Sequence, residues 1–290
     1  MDTDKIIEEG KFKDIESLKK EVSQIMLDSN YSTYSFNTYK FSGFYRARKH
    51  NHIEGSVNQG ILKKFVNEKE FWNVPKDFAK IGRCNLENES IFYCANDILT
   101  AILEVKPDVD EFVTISRFKN SFPDKLYKVQ PLAKRFLSQI PVLKEKLFKK
   151  YPFDIKHTEC EDFFEKLFFQ DIDKEEDNYK YKYSIALAHL FFTDTTNEKE
   201  VFQTHALLYP SIARNNKSFC FAIRPWIVNS FFEIDTIQTV QVLDKTNEYI
   251  KIKLLRNGFK NGLKIYPADK FNITWYICPK SEKNIEILNL

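Results

Sequence analysis

The last fifth of the chain has the least freedom in what it can become. From residue 235 the stretches "TIQTVQVLD", "EYIKIKLL", "GLKIYP" and "FNITWYICP" alternate apolar and polar residues. A period of two puts every second side chain on one face of an extended strand, and a helix, with its period of 3.6, cannot use that pattern. "RNGF" supplies a turn signal between two of these stretches. Residues 235–290 therefore read as an antiparallel β appendage.

The other end of the chain has the opposite texture. Phe12, Ile15, Leu18, Val22, Ile25 and Met26 recur at helical spacing and predict an amphipathic opening helix within an N-terminal extension, residues 1–40. "NYSTYSFNTYKFSGFYRAR" then leads through irregular chain to a strand near residues 44–48, and residues 53–80 are loop-like around the breaker "NVPKDF". "SIFYC" predicts a short strand, Asn96 or Asp97 a helix cap, and Ile98, Ala101, Ile102 and Val105 the buried stripe of the helix that Pro107 ends. Glu104 lies off that stripe, one turn from Thr100. Helices are expected around 129–149, 160–169 and 180–192, and "THALLYPSIARNNKSFCFAI" as strand, polar turn and strand. The charge run "DIDKEEDNYKYK" reads as a solvated loop.

Composition narrows the functional classes. The chain has 290 residues, enough for one sizeable core or a domain with an appendage. With 44 basic against 41 acidic residues it offers no broad basic face for nucleic acid. The start, "MDTDKIIEEGKFKD", is acidic and lacks the apolar core of a signal peptide, and no stretch approaches the roughly 18 apolar residues of a membrane span. Cys84, Cys94, Cys160, Cys220 and Cys278 form no CxxC pair and leave an odd thiol, so the expected setting is a reducing cytoplasm. "HNH" (His50, Asn51, His52) and "HTEC" (His157, Cys160) bring too few ligands together for a metal site.

"GFYRAR", "GRCN", "IFYCANDILTAILEVKP" and "LLYPSIARNNKSFCFAI" occur in the order and approximate spacing of the RES-domain family, and residues 41–234 resemble it. The resemblance implies an α+β fold: a mixed-sheet, ADP-ribosyltransferase-like core, with added helices around 109–200 and the β appendage behind it. It also implies an intracellular enzyme that consumes NAD+ as substrate without a further cofactor, by hydrolysis or phosphorolysis. Such an enzyme is typically a toxin paired with a helix-turn-helix antitoxin, and a dimer. By position, Arg46 matches the first motif arginine, Arg83 that of "GRxN", Tyr93 the strand tyrosine, Glu104 the helix glutamate and Ser211 the late serine. Arg48 and Asn85 fall in the same motifs, and Lys76 or Lys80 stands near the family's upstream lysine. The chain departs from the pattern at Cys84, at "NLENES" and at Cys220.

NAD+ explains why such residues would be wanted. Guanidiniums from two separate segments, Arg46 and Arg83, would clamp the pyrophosphate through forked, permanently charged contacts. Tyr93 would stack on the nicotinamide, and Ser211 would fix its orientation. Glu104 would hold the ribose hydroxyls and favour the positive charge that develops at the sugar. Taken singly, each is an ordinary structural residue, and their joint order carries the resemblance. The other readings are ADP-ribose transfer to a macromolecule and a catalytically silent module that binds NAD+ or docks a partner.

Overall fold

A computed structural model describes residues 2–29, 31, 36–50, 70–148, 159–170, 172, 175–192, 204–215, 217–246, 248–260, 273–277 and 285–289. In chain order the elements are α1 (Thr3–Glu9), α2 (Ile15–Asp28), β1 (Phe36–Tyr39), β2 (Phe44–His50), β3 (Phe92–Ala95), α3 (Ile98–Glu104), β4 (Phe112–Asn120) and β5 (Tyr127–Pro131). There follow α4 (Lys134–Leu137), α5 (Pro141–Leu143), α6 (Glu159–Phe169), α7 (Lys182–Phe192), β6 (Ala206–Pro210), β7 (Phe219–Ile223) and α8 (Pro225–Phe231). The last four are β8 (Phe232–Lys245), β9 (Tyr249–Lys260), β10 (Ile273–Ile277) and β11 (Ile285–Asn289). The protein is α+β with mixed strand pairing. Among the described residues no helix is long and apolar enough to cross a membrane. The chain divides into two compact units, each assembled from three separate segments.

The first unit comprises Met1–Lys40, Val74–Phe92 and Asp124–Ile227. Its strands run in the order β1-β5-β6-β7, with β5 and β6 parallel and the other neighbours antiparallel. The opening helices belong to its core, since Leu18 and Val22 are fully buried and α2 packs on α7. Asp14 caps α2 by accepting the Ser17 N–H at 2.8 Å. Lys182 of α7 donates to the carbonyls of Lys11 and Lys13, and the Tyr183 hydroxyl donates to Glu21 at 2.7 Å. Gly10 permits this approach, because a Cβ there would lie 2.5 Å from the Tyr183 ring.

The helical stretch expected around 129–149 begins only at Lys134, because Tyr127–Pro131 is a strand in parallel register with β6. Pairing on the open edge of β6 outweighs the local preference of a short apolar run that fits either structure. A polar knot ties α4 to α6. Glu161 accepts the Lys134 N–H, Arg135 donates to Glu165, and the Lys134 ammonium lies 3.9 Å over the Tyr31 ring. Burial pushes the Glu165 carboxyl up to about 7 and holds Lys134 below the usual range.

The second unit comprises Phe41–Asn73, Tyr93–Pro123 and Val228–Leu290. Its strands run β3-β2-β4-β8-β9-β10, all neighbours antiparallel where the register is defined, and β11 also pairs with β9. The stretch taken as an appendage is therefore continuous with the unit's own sheet, since β8 pairs with β4 from Phe232↔Asn120 to Gln241↔Phe112. Neither β4 nor β5 was expected within residues 109–200; Phe112 through Ser116 are buried on both faces of β4, so burial does not alternate along it. Phe44 stacks on Phe118 at 5.5 Å, and Phe41 and Phe232 close the same aromatic cluster. Burying each such ring contributes roughly 2 kcal/mol. Gly43 lets β2 approach β4, because a Cβ there would lie 2.8 Å from the Phe118 carbonyl oxygen.

Candidate functional site

In the second unit Asp97 is the residue that caps α3, accepting the Thr100 N–H at 2.8 Å and its hydroxyl at 2.7 Å. The helix buries Leu99 through Leu103, while Ile98 and Val105 are only half-buried, so its apolar side is broader than the predicted stripe. Glu104, the last residue of α3, is exposed.

Strand β2 turns Arg46 and Arg48 to one face, and its register with β4 puts Ser116 and Thr114 beside them. Arg46 Nη1 donates to the Tyr93 carbonyl at 2.7 Å, and Arg48 Nη2 to the Trp72 carbonyl at 2.8 Å. Burial and the neighbouring Arg48 charge lower Arg46 to about 10, opposed by Cys94 and Tyr93. Arg48 is lowered by burial and opposed by Glu70. The structure thus brings Arg46, Arg48 and Tyr93 together. Thr114 and Thr239 share a buried hydroxyl–hydroxyl hydrogen bond of 2.9 Å. These hydroxyls on β4 escaped the sequence reading, although the alternation in "FVTISRF" places them on one face. Lys49 alternates to the opposite face of β2, and its ammonium reaches the Lys106 carbonyl at 3.4 Å.

The remaining candidates lie in the first unit. Arg83 works as a clamp on the end of α6. Its Nη1 donates to the Phe168 carbonyl at 2.6 Å and the Leu167 carbonyl at 3.4 Å, and its Nη2 to the Gln170 carbonyl at 3.1 Å. The guanidinium also lies within 6 Å of the Phe168 and Tyr181 ring centres. Helix-end carbonyls lack intrahelical partners and carry partial negative charge, so they suit a guanidinium.

Asn85 is buried and sends its amide to the carbonyls of Lys80, Leu86 and Glu89, which fixes the turn after "GR". Glu89 closes that turn on the Leu86 N–H and meets His189 Nε2 at 2.8 Å. Ser211 is fully buried, and its N–H donates to the Ser218 carbonyl at the neck of the β6–β7 connection. Lys76 is exposed, and Lys80 forms an exposed ion pair with Glu175 at 3.1 Å.

Among the described residues no group of three or more His, Cys, Asp or Glu could hold a metal ion. Asn51, His52, His157 and Cys278 lie outside the described residues. Cys84, Cys94, Cys160 and Cys220 are buried. A scan against protein-family profiles finds no match to this chain, and no curated protein matches it.

Proposed function

We propose that the chain is an NAD+-consuming enzyme of RES type, acting as a glycohydrolase or phosphorylase. The observation that carries this reading is Arg46, which lies beside Arg48 of its own motif and donates to the carbonyl of Tyr93, a residue of a second motif. Two guanidiniums two residues apart on one strand face repel each other, and a pyrophosphate would offset that cost. The ADP-ribosyltransferase-like core, the toxin role, the helix-turn-helix antitoxin, the dimer and the cytoplasmic setting belong to the same proposal.

In the reaction the bond between the ribose C1′ and the nicotinamide nitrogen breaks. Its electron pair returns to the ring, so nicotinamide leaves neutral and needs no general acid. The sugar passes through an oxocarbenium-like state that Glu104 would favour as a carboxylate. Water or inorganic phosphate then attacks C1′; with water, the released proton passes to solvent.

The test is incubation of the purified protein with NAD+, in phosphate buffer and in phosphate-free buffer, with free nicotinamide as the readout. Turnover is expected in at least one buffer, and Glu104→Ala is expected to abolish it while changing stability by less than about 0.5 kcal/mol, since the residue is exposed. No turnover in either buffer, or a fully active Glu104→Ala protein, rejects the reading.

A second reading, NAD+ binding without turnover, draws support from Arg83 and Asn85, whose donors go to backbone carbonyls of the fold. Saturable NAD+ binding by calorimetry, without nicotinamide release and unchanged in Glu104→Ala, would favour it. Labelled ADP-ribose attached to protein or nucleic acid would instead identify a transferase.

A further inference from the structure

A corner of the first unit that none of the motifs touches has the composition of a ligand site. Strands β5 and β6 begin there and β7 ends there, because Val129 pairs with Ala206 and Ala206 with Ile223. The residues just outside these pairs are Lys125 and Lys128 on one side, His205 in the middle, and Arg224 with Trp226 on the other. Backbone bonds lock the arrangement: the His205 N–H donates to the Lys128 carbonyl at 2.8 Å, and the Arg224 N–H to the His205 carbonyl at 3.1 Å.

The side chains are equally well set. The Lys128 N–H donates to His205 Nδ1 at 3.0 Å. An accepting Nδ1 is unprotonated, so the neutral imidazole carries its proton on Nε2 and presents a donor there. The His205 ring meets Trp226 edge-on at 5.8 Å and Tyr127 at 6.2 Å. The Arg224 guanidinium lies 5.9 Å from the Trp226 ring centre. Trp226 is nevertheless 43% exposed, a large apolar ring left partly in water among cations. Burial lowers His205 to about 4, and the Lys128, Lys125 and Arg224 charges add to it by disfavouring the imidazolium. The potential at the imidazole is therefore positive, which is the field that an anion seeks.

We propose that the Arg224–Trp226–His205 corner, with Lys125 and Lys128, binds a nucleotide, taking the flat base on the indole and the phosphate among the cations and the His205 Nε2–H. An indole beside a guanidinium is a stacking platform for any base, and the cations add phosphate affinity that falls with salt. The site lies wholly within the first unit and does not depend on the proposed reaction.

The experiment is an NMR titration of the full chain with adenosine monophosphate, following the His205 ring protons and the Trp226 indole N–H. Bound phosphate is expected to raise the His205 pKa by at least one unit and to shift the indole resonance. Trp226→Ala and Arg224→Gln should each weaken binding about tenfold, the loss of one stacking or one charge-assisted contact. Inorganic phosphate and adenosine serve as controls. Equal affinity for phosphate and the nucleotide would remove the base from the site and overturn the proposal. So would unmoved His205 and Trp226 resonances at millimolar nucleotide. A short single-stranded oligonucleotide that binds where the monophosphate does not would replace a free nucleotide with a nucleic-acid strand.

Discussion

Arg83 in the first unit and the Arg46–Arg48 pair in the second are arginines from neighbouring sequence motifs in opposite physical situations. Arg83 sits at the carboxyl end of a helix, where its donors meet the Leu167, Phe168 and Gln170 carbonyls. Arg46 sits beside a second guanidinium on the same strand face, and burial together with that like charge lowers it to about 10. The first placement lowers the energy of the fold, and the second raises it. A charge held where it costs stability is the better candidate for ligand contact. The motif spellings "YRAR" and "GR" do not reveal the difference; the partners do.

The largest expected effect that tests this contrast is at Arg83. Arg83→Ala should lower unfolding free energy by about 3 kcal/mol, because several charge-assisted bonds to helix-end carbonyls are lost. Arg83→Lys should recover part of it, because one ammonium cannot reproduce the planar fork. Urea denaturation measures both; unchanged stability together with lost NAD+ binding would return Arg83 to the ligand site.

A middle-sized effect is expected from His205 as pH falls. Its folded pKa of about 4 lies below the unfolded value of 6.5, so the unfolded chain takes up the proton first. The stabilisation is fully present above pH 6.5 and is lost progressively toward pH 4; because the imidazole is only about half-buried, solvent screening holds the loss at pH 5 to about 1 kcal/mol. Glu165, raised to about 7 from 4.5, works with the opposite sign, gaining relative stability as pH falls through 7. The His205 share is isolated by subtracting the stability profile of His205→Asn from that of the unmodified protein. A difference that is flat between pH 7 and pH 5 would show that the imidazole is not held neutral.

The smallest effect on stability belongs to Arg48→Gln. Removing one of two adjacent like charges should leave unfolding free energy within about 0.5 kcal/mol, while weakening NAD+ binding about tenfold in salt-dependent fashion. A large stability loss with intact binding would make the β2 pair as structural as Arg83.

How much of this was legible in the sequence depended on the range of the forces involved. The strand–cap–helix sequence from Phe92 to Glu104 was readable, because Asp97 acts on Thr100 only three residues away. The β6 and β7 strands were readable from their apolar runs. The role of Arg83 was hidden, since its partners lie 84 to 87 residues further along the chain. β5 was misread as helix because only its pairing with β6 decides between two local possibilities. The Arg46–Tyr93 contact runs to a backbone carbonyl that the motif spelling does not reveal, and the Ser116 and Thr114 neighbours depend on a strand register that no local pattern announces.

The interleaved segments of the two units also set a timetable for biosynthesis. By the time Ile227 has left the ribosome the first unit has all its parts, yet the second still waits for Val228–Leu290 to supply β8 and β9. Until then β4 has a bare edge, with its partner more than a hundred residues downstream. Nascent chains halted before residue 228 should consequently be the species most in need of chaperones, and the strand carrying Arg46 and Arg48 should reach its final form only near the end of synthesis.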